Sequence, residues 1–111
     1  MIDEFKFGKI TIDGKNYEDI KIINNKAKTW QYVEHHTVTK QDVIEIFEDK
    51  PEFVVIGIGT DSDVRINDDV FELAKKKAIK LVIEDTENAC NSYNEYKKQG
   101  KKVDAIIHAT C

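Results

Sequence analysis

Residues 53–61, FVVIGIGTD, contain an apolar run that predicts a strand buried on both faces. Pro51 precedes the run, and the polar residues 60–63 follow it. Next come a helical pattern from Asp68 to Ala78 and another apolar run from Lys80 to Glu84. A strand of this kind occupies the centre of a sheet, so we expect it to begin a β-α-β-α-β run.

The last third of the chain continues this alternation. A third helix is predicted from Glu87 to Gln99, with Gly100 as its stop signal, and a last apolar strand from Val103 to His108. Short helical crossovers between strands favour parallel pairing of the last three strands.

The N-terminal half predicts antiparallel strands. Two β-rich runs, Phe5–Ile12 and Tyr17–Ile23, flank Asp13-Gly14, which is a strong hairpin signal. Gly8 interrupts the alternation of the first run and suggests a bulge. A third strand is predicted from Ala27 to Val33, with Trp30 either covering the core or stacking on a ligand. The whole chain, residues 1–111, is therefore a single mixed α/β domain.

The sequence predicts two amphipathic helices, one on each side of the buried strand predicted within residues 53–61. Thr39 is a good N-cap for a helix from Lys40 to Asp49, although Asp42 completes only a partial capping box. Asn67 is the predicted cap of the helix from Asp68 to Ala78. The predicted inner residues are Val43, Ile44 and Phe47 on the first helix and Val70, Phe71 and Ala74 on the second.

Composition limits the class of partner. The chain of 111 residues has a net charge of -4, and its 17 basic residues are interleaved with 21 acidic ones, so no nucleic acid partner is expected. It has no long apolar run, and its first residues lack the layout of a secretory signal, so we expect no membrane partner and a cytoplasmic location. The two cysteines, Cys90 and Cys111, are expected to be free thiols.

Ligands of open α/β sheets bind beyond the carboxyl ends of the strands. The segments that follow the last three predicted strands bring together glycine, carboxylate, hydroxyl, guanidinium, imidazole and thiol groups: Gly57, Gly59, Arg65, Asp85, Thr86, His108 and Cys111. These residues form the predicted ligand site.

The glycine pair does not predict a dinucleotide site, because Ser62 stands where the third glycine belongs and no helix begins there. Gly57 and Gly59 either allow close approach of the backbone or cradle a small anion. Arg65, the only arginine, is expected in the loop after these glycines, where it is either solvated or clamps an anion. Asp85 and Thr86 are expected to cap the third helix.

His108 and Cys111 allow three interpretations. They could be two ligands of a zinc ion, or a base and a nucleophile, but neither set is complete in the sequence. The third interpretation makes His108 a partly buried strand residue with hydrogen-bonded nitrogens. We therefore predict no catalytic residue, no metal and no cofactor.

Four segments, FGKITIDGKNYEDI, IGIG, DTENA and AIIHATC, resemble in order and spacing the Mth-type domain family, and the resemblance covers essentially the whole chain. Members include a mitochondrial complex I assembly factor and an adipogenesis-associated protein. The resemblance implies a three-layer α/β fold with a mixed central sheet, and the family has no established catalytic activity. Its patterns fall on these residues: Gly8, Gly14, Tyr17, Asp19, Trp30, His36, Gly57, Gly59, Asp85, Thr86, Ala89, His108 and Cys111.

Two functions remain open from the sequence. The first is an interaction or assembly-factor-like module without catalysis, which binds an unidentified protein partner or a second copy of itself. The alternative is a small-anion or small-molecule site, or an enzyme, at the carboxyl ends of the parallel strands, where His36 joins the predicted residues.

Overall fold

The computed structural model describes residues 1–110, which form ten strands and three helices. The strands are β1 (Ile2–Lys6), β2 (Lys9–Ile12), β3 (Lys15–Tyr17), β4 (Ile20–Ile23), β5 (Lys26–Thr29), β6 (Thr37–Val38), β7 (Phe53–Ile58), β8 (Arg65–Ile66), β9 (Lys80–Glu84) and β10 (Val103–His108). The helices are α1 (Lys40–Glu48), α2 (Asp68–Lys76) and α3 (Thr86–Lys98). None of these helices is long and apolar enough to cross a membrane.

The central sheet has the strand order β5-β4-β10-β7-β9. Strands β10, β7 and β9 are parallel, and Val55 of β7 lies opposite Ala105 of β10 and Val82 of β9. Strands β4 and β5 are antiparallel to their neighbours. This arrangement confirms the predicted mixed sheet and the parallel β-α-β-α-β run. Residues 53–58 form an interior strand with a neighbour on each side, although the middle strand of the five is β10 and not β7 as predicted.

Each face of the central sheet has its own core, because successive side chains of a strand point to opposite faces. One face of β7 presents Val54 and Ile56 to helices α1 and α2. The opposite face presents Val55 to helix α3 and to the antiparallel sheet of β1, β2 and β3. The domain therefore has three layers, as the family resemblance implied.

Gly57 allows helix α3 to lie close to the sheet. A Cβ atom at this position would lie 2.8 Å from Cγ2 of Ile107 and 3.2 Å from Cβ of Ala89, which leaves no room for a side chain. Close packing of α3 against the sheet therefore accounts for a glycine at position 57, the first of the pair Gly57 and Gly59.

The N-terminal strands are shorter than predicted. The run Phe5–Ile12 divides into β1 and β2, which are joined by a turn at Phe7-Gly8, where Gly8 has φ +82°. The predicted bulge at Gly8 is therefore wrong, because the alternation breaks at a chain reversal. The predicted turn at Asp13-Gly14 is confirmed, and it joins β2 to β3. The run Tyr17–Ile23 also divides, since β4 belongs to the central sheet.

Strand β5 ends four residues before the predicted boundary at Val33, because the chain leaves the sheet at Trp30. The indole of Trp30 is buried, and its Nε1 donates to Oδ1 of Asp42 at 3.0 Å. Its core role is confirmed. The same Asp42 accepts from the backbone N–H of Thr39 through Oδ2 at 2.8 Å, so the capping box of α1 is complete and the prediction of a partial one was wrong.

Two predicted core residues are exposed. Ile46 replaces Ile44 on the buried face of α1, and Phe71 of α2 is 43% exposed. The buried face of α1 is therefore rotated relative to the prediction, and only the buried face of α2 is narrower than predicted. Asn67 stands at the N-cap of α2 but makes no side-chain capping bond.

Asp104 is a buried carboxyl group at the amino end of the parallel strands. Its Oδ1 accepts from the backbone N–H of Asn24 at 3.1 Å, and its Oδ2 lies buried near Asp49. Burial is the main cause that raises the pKa of Asp104 to about 7, and the Asp49 carboxyl adds to the effect, while Asn24 and Lys102 act against it.

The raised pKa of Asp104 predicts a pH-dependent stability. Above about pH 4 the unfolded chain releases this proton while the folded chain keeps it until about pH 7. The free energy of unfolding should therefore fall between these values, then level off. Urea unfolding at several pH values should show that the free energy of unfolding falls less in Asp104→Asn than in the original chain. In Asp61→Asn, which changes an exposed residue, it should fall as much as in the original chain. Equal slopes for all three proteins would contradict this assignment.

Candidate functional site

Thr86 joins the carboxyl ends of the parallel strands. Its fully buried hydroxyl donates to the carbonyl oxygen of His108 at 2.5 Å and accepts from the backbone N–H of Gly59 at 3.0 Å. Gly59 follows β7, Thr86 follows β9, and His108 ends β10. The structure thus brings together three of the predicted site residues, because parallel strands end at the same edge of a sheet.

The backbone of Gly59 is engaged within the fold. Besides the N–H bonded to Thr86, its carbonyl accepts from the N–H groups of Ser62 at 3.2 Å and Thr86 at 3.3 Å. Gly59 has φ +95°, a backbone conformation that favours glycine. A ligand-binding role for Gly57 and Gly59 stays a prediction, and the visible function of both residues is to shape the strand end.

His108 is buried, and both of its ring nitrogens have polar neighbours. Nδ1 lies 3.1 Å from Oδ1 of Asp19, and Nε2 lies 3.0 Å from Oγ1 of Thr110. The same Asp19 oxygen accepts from the backbone N–H of Ala109 at 2.8 Å. The interpretation of His108 as a hydrogen-bonded strand residue is confirmed.

Aromatic and imidazole rings surround His108, and the sequence reasoning did not predict their clustering. The ring centroids of Trp30 and Tyr32 each lie 6.4 Å from that of His108, and the His36 ring lies 5.4 Å away. His35 lies 3.9 Å from His36. The available signal was the composition of residues 30–36, WQYVEHH, which follow the end of β5.

A concavity of about 380 Å³ opens beside this ring cluster. It is lined by His35, His36, Thr37, Asp63 and Arg65. The backbone N–H of Arg65 donates to the carbonyl of His36 at 2.9 Å, and strands β6 and β8 form a short parallel ladder there. Arg65 therefore lies in a strand, which corrects its predicted place in a loop.

Asp85 caps helix α3, as predicted. Its Oδ1 accepts from the backbone N–H of Asn88 at 3.1 Å, and its Oδ2 accepts from the Asn88 side chain at 2.7 Å. The bond from the backbone N–H is the main cause that holds the pKa of Asp85 below its usual value. A ligand role for Asp85 stays a prediction.

Other chemical groups lie away from this edge. A larger concavity of about 630 Å³ is at the amino ends of the strands, with Pro51, Ile79 and Lys102 among its lining residues.

Burial raises the pKa of the Cys90 thiol to about 12, so the thiol is protonated at neutral pH. Residues 1–110 contain no group of three His, Cys, Asp or Glu side chains placed to hold a metal ion. The predicted role of Cys111 lies outside the described residues.

The Thr86 bridge gives a stability prediction. Thr86→Val keeps the shape but leaves the Gly59 N–H and the His108 carbonyl unpaired, which should cost about 2–5 kcal/mol. Thr86→Ser keeps the hydroxyl and should cost only about 1 kcal/mol. Urea unfolding measures both, and equal losses for the two variants would show that the hydroxyl does not matter.

Several known proteins resemble this chain. The rat (Rattus norvegicus) NADH dehydrogenase [ubiquinone] 1 alpha subcomplex assembly factor 3 is 24% identical over 109 residues, which is 96% of this chain. The alignment covers 58% of the rat protein, so the chain spans little more than half of that relative's length.

Solved structures share the fold over nearly the whole chain. The protein MT938 has a TM-score of 0.84 at 26% identity, covering 100% of this chain and 98% of its own. The conserved hypothetical protein PH1505 from Pyrococcus horikoshii OT3 has a TM-score of 0.88 at 21% identity, covering 100% and 99%. A Bordetella pertussis protein, described as a Mth938-like domain, has a TM-score of 0.59 at 14% identity, covering 97% and 84%.

A family described as a protein of unknown function, DUF498/DUF598, matches residues 2–108. The match includes every described strand and helix, so this chain belongs to the DUF498/DUF598 family.

Proposed function

We propose that this chain is a protein-interaction module of the assembly-factor kind, which binds its partner with the end of the domain at which β10 terminates. The observation that carries the proposal is the presence of three exposed apolar side chains on two segments held at that end. Phe7 is 67% exposed, Val33 is 62% exposed and Tyr32 is 37% exposed. We call these three residues the carboxyl-end patch.

Main-chain bonds hold both segments of the patch. The turn that carries Phe7 is attached through the N–H of Gly8, which donates to the carbonyl of Ala109 at 2.8 Å. The segment that carries Tyr32 and Val33 is anchored at Trp30, whose N–H donates to the carbonyl of Asp19 at 2.9 Å. A binding surface on a rigid support loses little conformational entropy on binding.

The chemistry of the patch suits a protein partner. Aromatic residues are enriched at the centre of protein interfaces, and an exposed apolar patch in a small domain often marks such a site. The family relative from rat is named as an assembly factor, which supports the same class of function. We expect a partner that presents an apolar surface to Tyr32 and Val33.

A second candidate is the binding of a small anion in the concavity beside the patch. The specific observation is that the only arginine, Arg65, lines it together with His35 and His36, while Thr37 adds a hydroxyl. A guanidinium can hold a phosphate or carboxylate through two hydrogen bonds. Asp63 also lines the concavity and lowers its preference for anions.

Site-specific photocrosslinking tests the interaction module. A photoreactive phenylalanine analogue at Phe7 or at Val33 should capture one and the same foreign protein in cells, whereas the analogue at Ile44, exposed on α1, should not. Binding of that purified protein should weaken about tenfold or more in Tyr32→Ala, because a central aromatic residue carries much of the energy of an interface. Unrelated adducts at the two positions, or unchanged affinity, would count against the proposal.

Titration with inorganic phosphate tests the anion site. Resonances of Arg65 and His36 should shift together with one dissociation constant, and Arg65→Gln should weaken that constant about tenfold through the lost charge-assisted bonds. Lys40→Gln, which removes an exposed cation on α1, is the control and should bind as the original chain does. Equal weakening by both substitutions would indicate unspecific charge attraction.

A further inference from the structure

The two edge strands of the central sheet differ in how readily they can pair with a further strand. Strand β5 forms one edge and strand β9 the other. The sequence of β5, KAKT, alternates lysine with short residues, and charged edge residues hinder pairing with another strand. The sequence of β9, KLVIE, has three apolar residues at its centre, and Ile83 is 37% exposed. Within residues 1–110, β9 pairs only with β7.

The free main-chain groups of β9 belong to two residues. The N–H of Lys80 donates to the carbonyl of Glu52 at 3.1 Å, so Lys80 directs its backbone groups toward β7. Successive residues of a strand alternate in this direction, so Val82 and Glu84 also turn toward β7. Leu81 and Ile83 therefore present their N–H and C=O groups to the open edge.

We propose that a second copy of this chain pairs with the open edge of β9 in antiparallel orientation, with the two-fold axis at Val82. This register places Leu81 of each copy opposite Ile83 of the other, so that both outward-facing pairs exchange N–H···O=C bonds. Val82 then faces its own symmetry mate as a non-hydrogen-bonded pair. The two central sheets become one sheet of ten strands.

The charges of β9 fit the same register. Lys80 of one copy lies opposite Glu84 of the other, and both side chains are on the α3 face of the sheet, since Lys80 lies over the Phe53 ring and Glu84 accepts from Ser92 of α3. One Glu84 oxygen accepts the Ser92 hydroxyl at 2.5 Å, which leaves the second oxygen for the ammonium group. Opposite charges at facing positions stabilise an antiparallel pair, and two such pairs form about the axis.

The charges of helix α2 are also complementary between the two copies. The helix packs against β9, so the two-fold axis also sets the two copies of α2 antiparallel. Asp68 and Asp69 in its first turn then face the end that carries Lys75 and Lys76 in the other copy. Phe71 of α2 and Ile83 of β9 are exposed apolar side chains on these two elements. A two-fold interface needs a self-complementary surface of this kind.

Sedimentation of the full chain gives the first test. The mass should be twice the 12.8 kDa of one chain, with dissociation on dilution. Lys80→Glu should weaken the dimer about tenfold, because each of two facing pairs then joins like charges. Lys80→Glu combined with Glu84→Lys restores opposite charges and should restore the dimer. Lys26→Glu on β5 is the matched control and should leave the mass unchanged.

Disulfide trapping tests the register. With Cys111→Ser as background, Val82→Cys should form a covalent dimer under mild oxidation, because facing residues of a non-hydrogen-bonded pair lie within disulfide reach. Lys26→Cys at the other edge should not form one. A mass of one chain at all concentrations, a double variant as weak as Lys80→Glu, or equal trapping at both edges would overturn the proposal. Circular dichroism of each variant separates a lost interface from a lost fold.

Discussion

The buried hydroxyl of Thr86 is the constraint on which the site end of the domain depends. Three parallel strands end side by side, and each end leaves main-chain groups that the sheet no longer pairs. Thr86, which follows β9, satisfies one main-chain group at each of the other two strand ends, the N–H of Gly59 after β7 and the carbonyl of His108 in β10. Helix α3 begins at the same residue, so its start and the spacing of the strand ends are fixed together.

Asp19 holds the other side of the same strand end. One carboxylate oxygen contacts both the ring of His108 and the backbone N–H of Ala109. Two further main-chain bonds attach to the next residues, from Gly8 to Ala109 and from Thr60 to the carbonyl of Thr110. Residues 108–110 are therefore a fixed platform. The turn that carries Phe7 is attached to this platform through Gly8, whereas the segment that carries Tyr32 and Val33 is attached through Trp30 to the carbonyl of Asp19.

The sequence predicted the parallel half of the fold well because buried parallel strands are nearly continuous apolar runs, and few other structures accept such runs. The prediction was wrong where one sequence pattern is compatible with two different structures. Gly8 fits a bulge and a turn equally well, and only the pairing of β1 with β2 decides between them. Ile44 and Phe71 each flank the buried stripe of a helix, and the tilt of the helix on the sheet determines whether such a position is covered.

The candidate site was predictable only in part, for a related reason. Topology alone brings Gly59, Thr86 and His108 together, because the ends of parallel strands coincide. The rings of Tyr32 and His36 reach His108 by a different route. They depend on the departure of the chain from β5 at Trp30 and on the anchoring of that indole by Asp42. This is a tertiary contact between the segment that follows β5 and the cap of helix α1. The composition of residues 30–36 shows that several rings are present, but it does not encode where they lie.

The positions of the carboxyl-end patch and of the β9 edge allow both proposed contacts to form at once. The patch lies where β10 terminates, whereas the open edge is the side of β9, two strands away from β10 in the sheet. A pair of chains joined at β9 would therefore present two copies of the patch. When two sites on one assembly bind a partner that is itself repeated, the second contact forms at a high effective concentration. Modest affinity at each patch is then sufficient for stable binding, and this accords with a surface of only three exposed apolar residues.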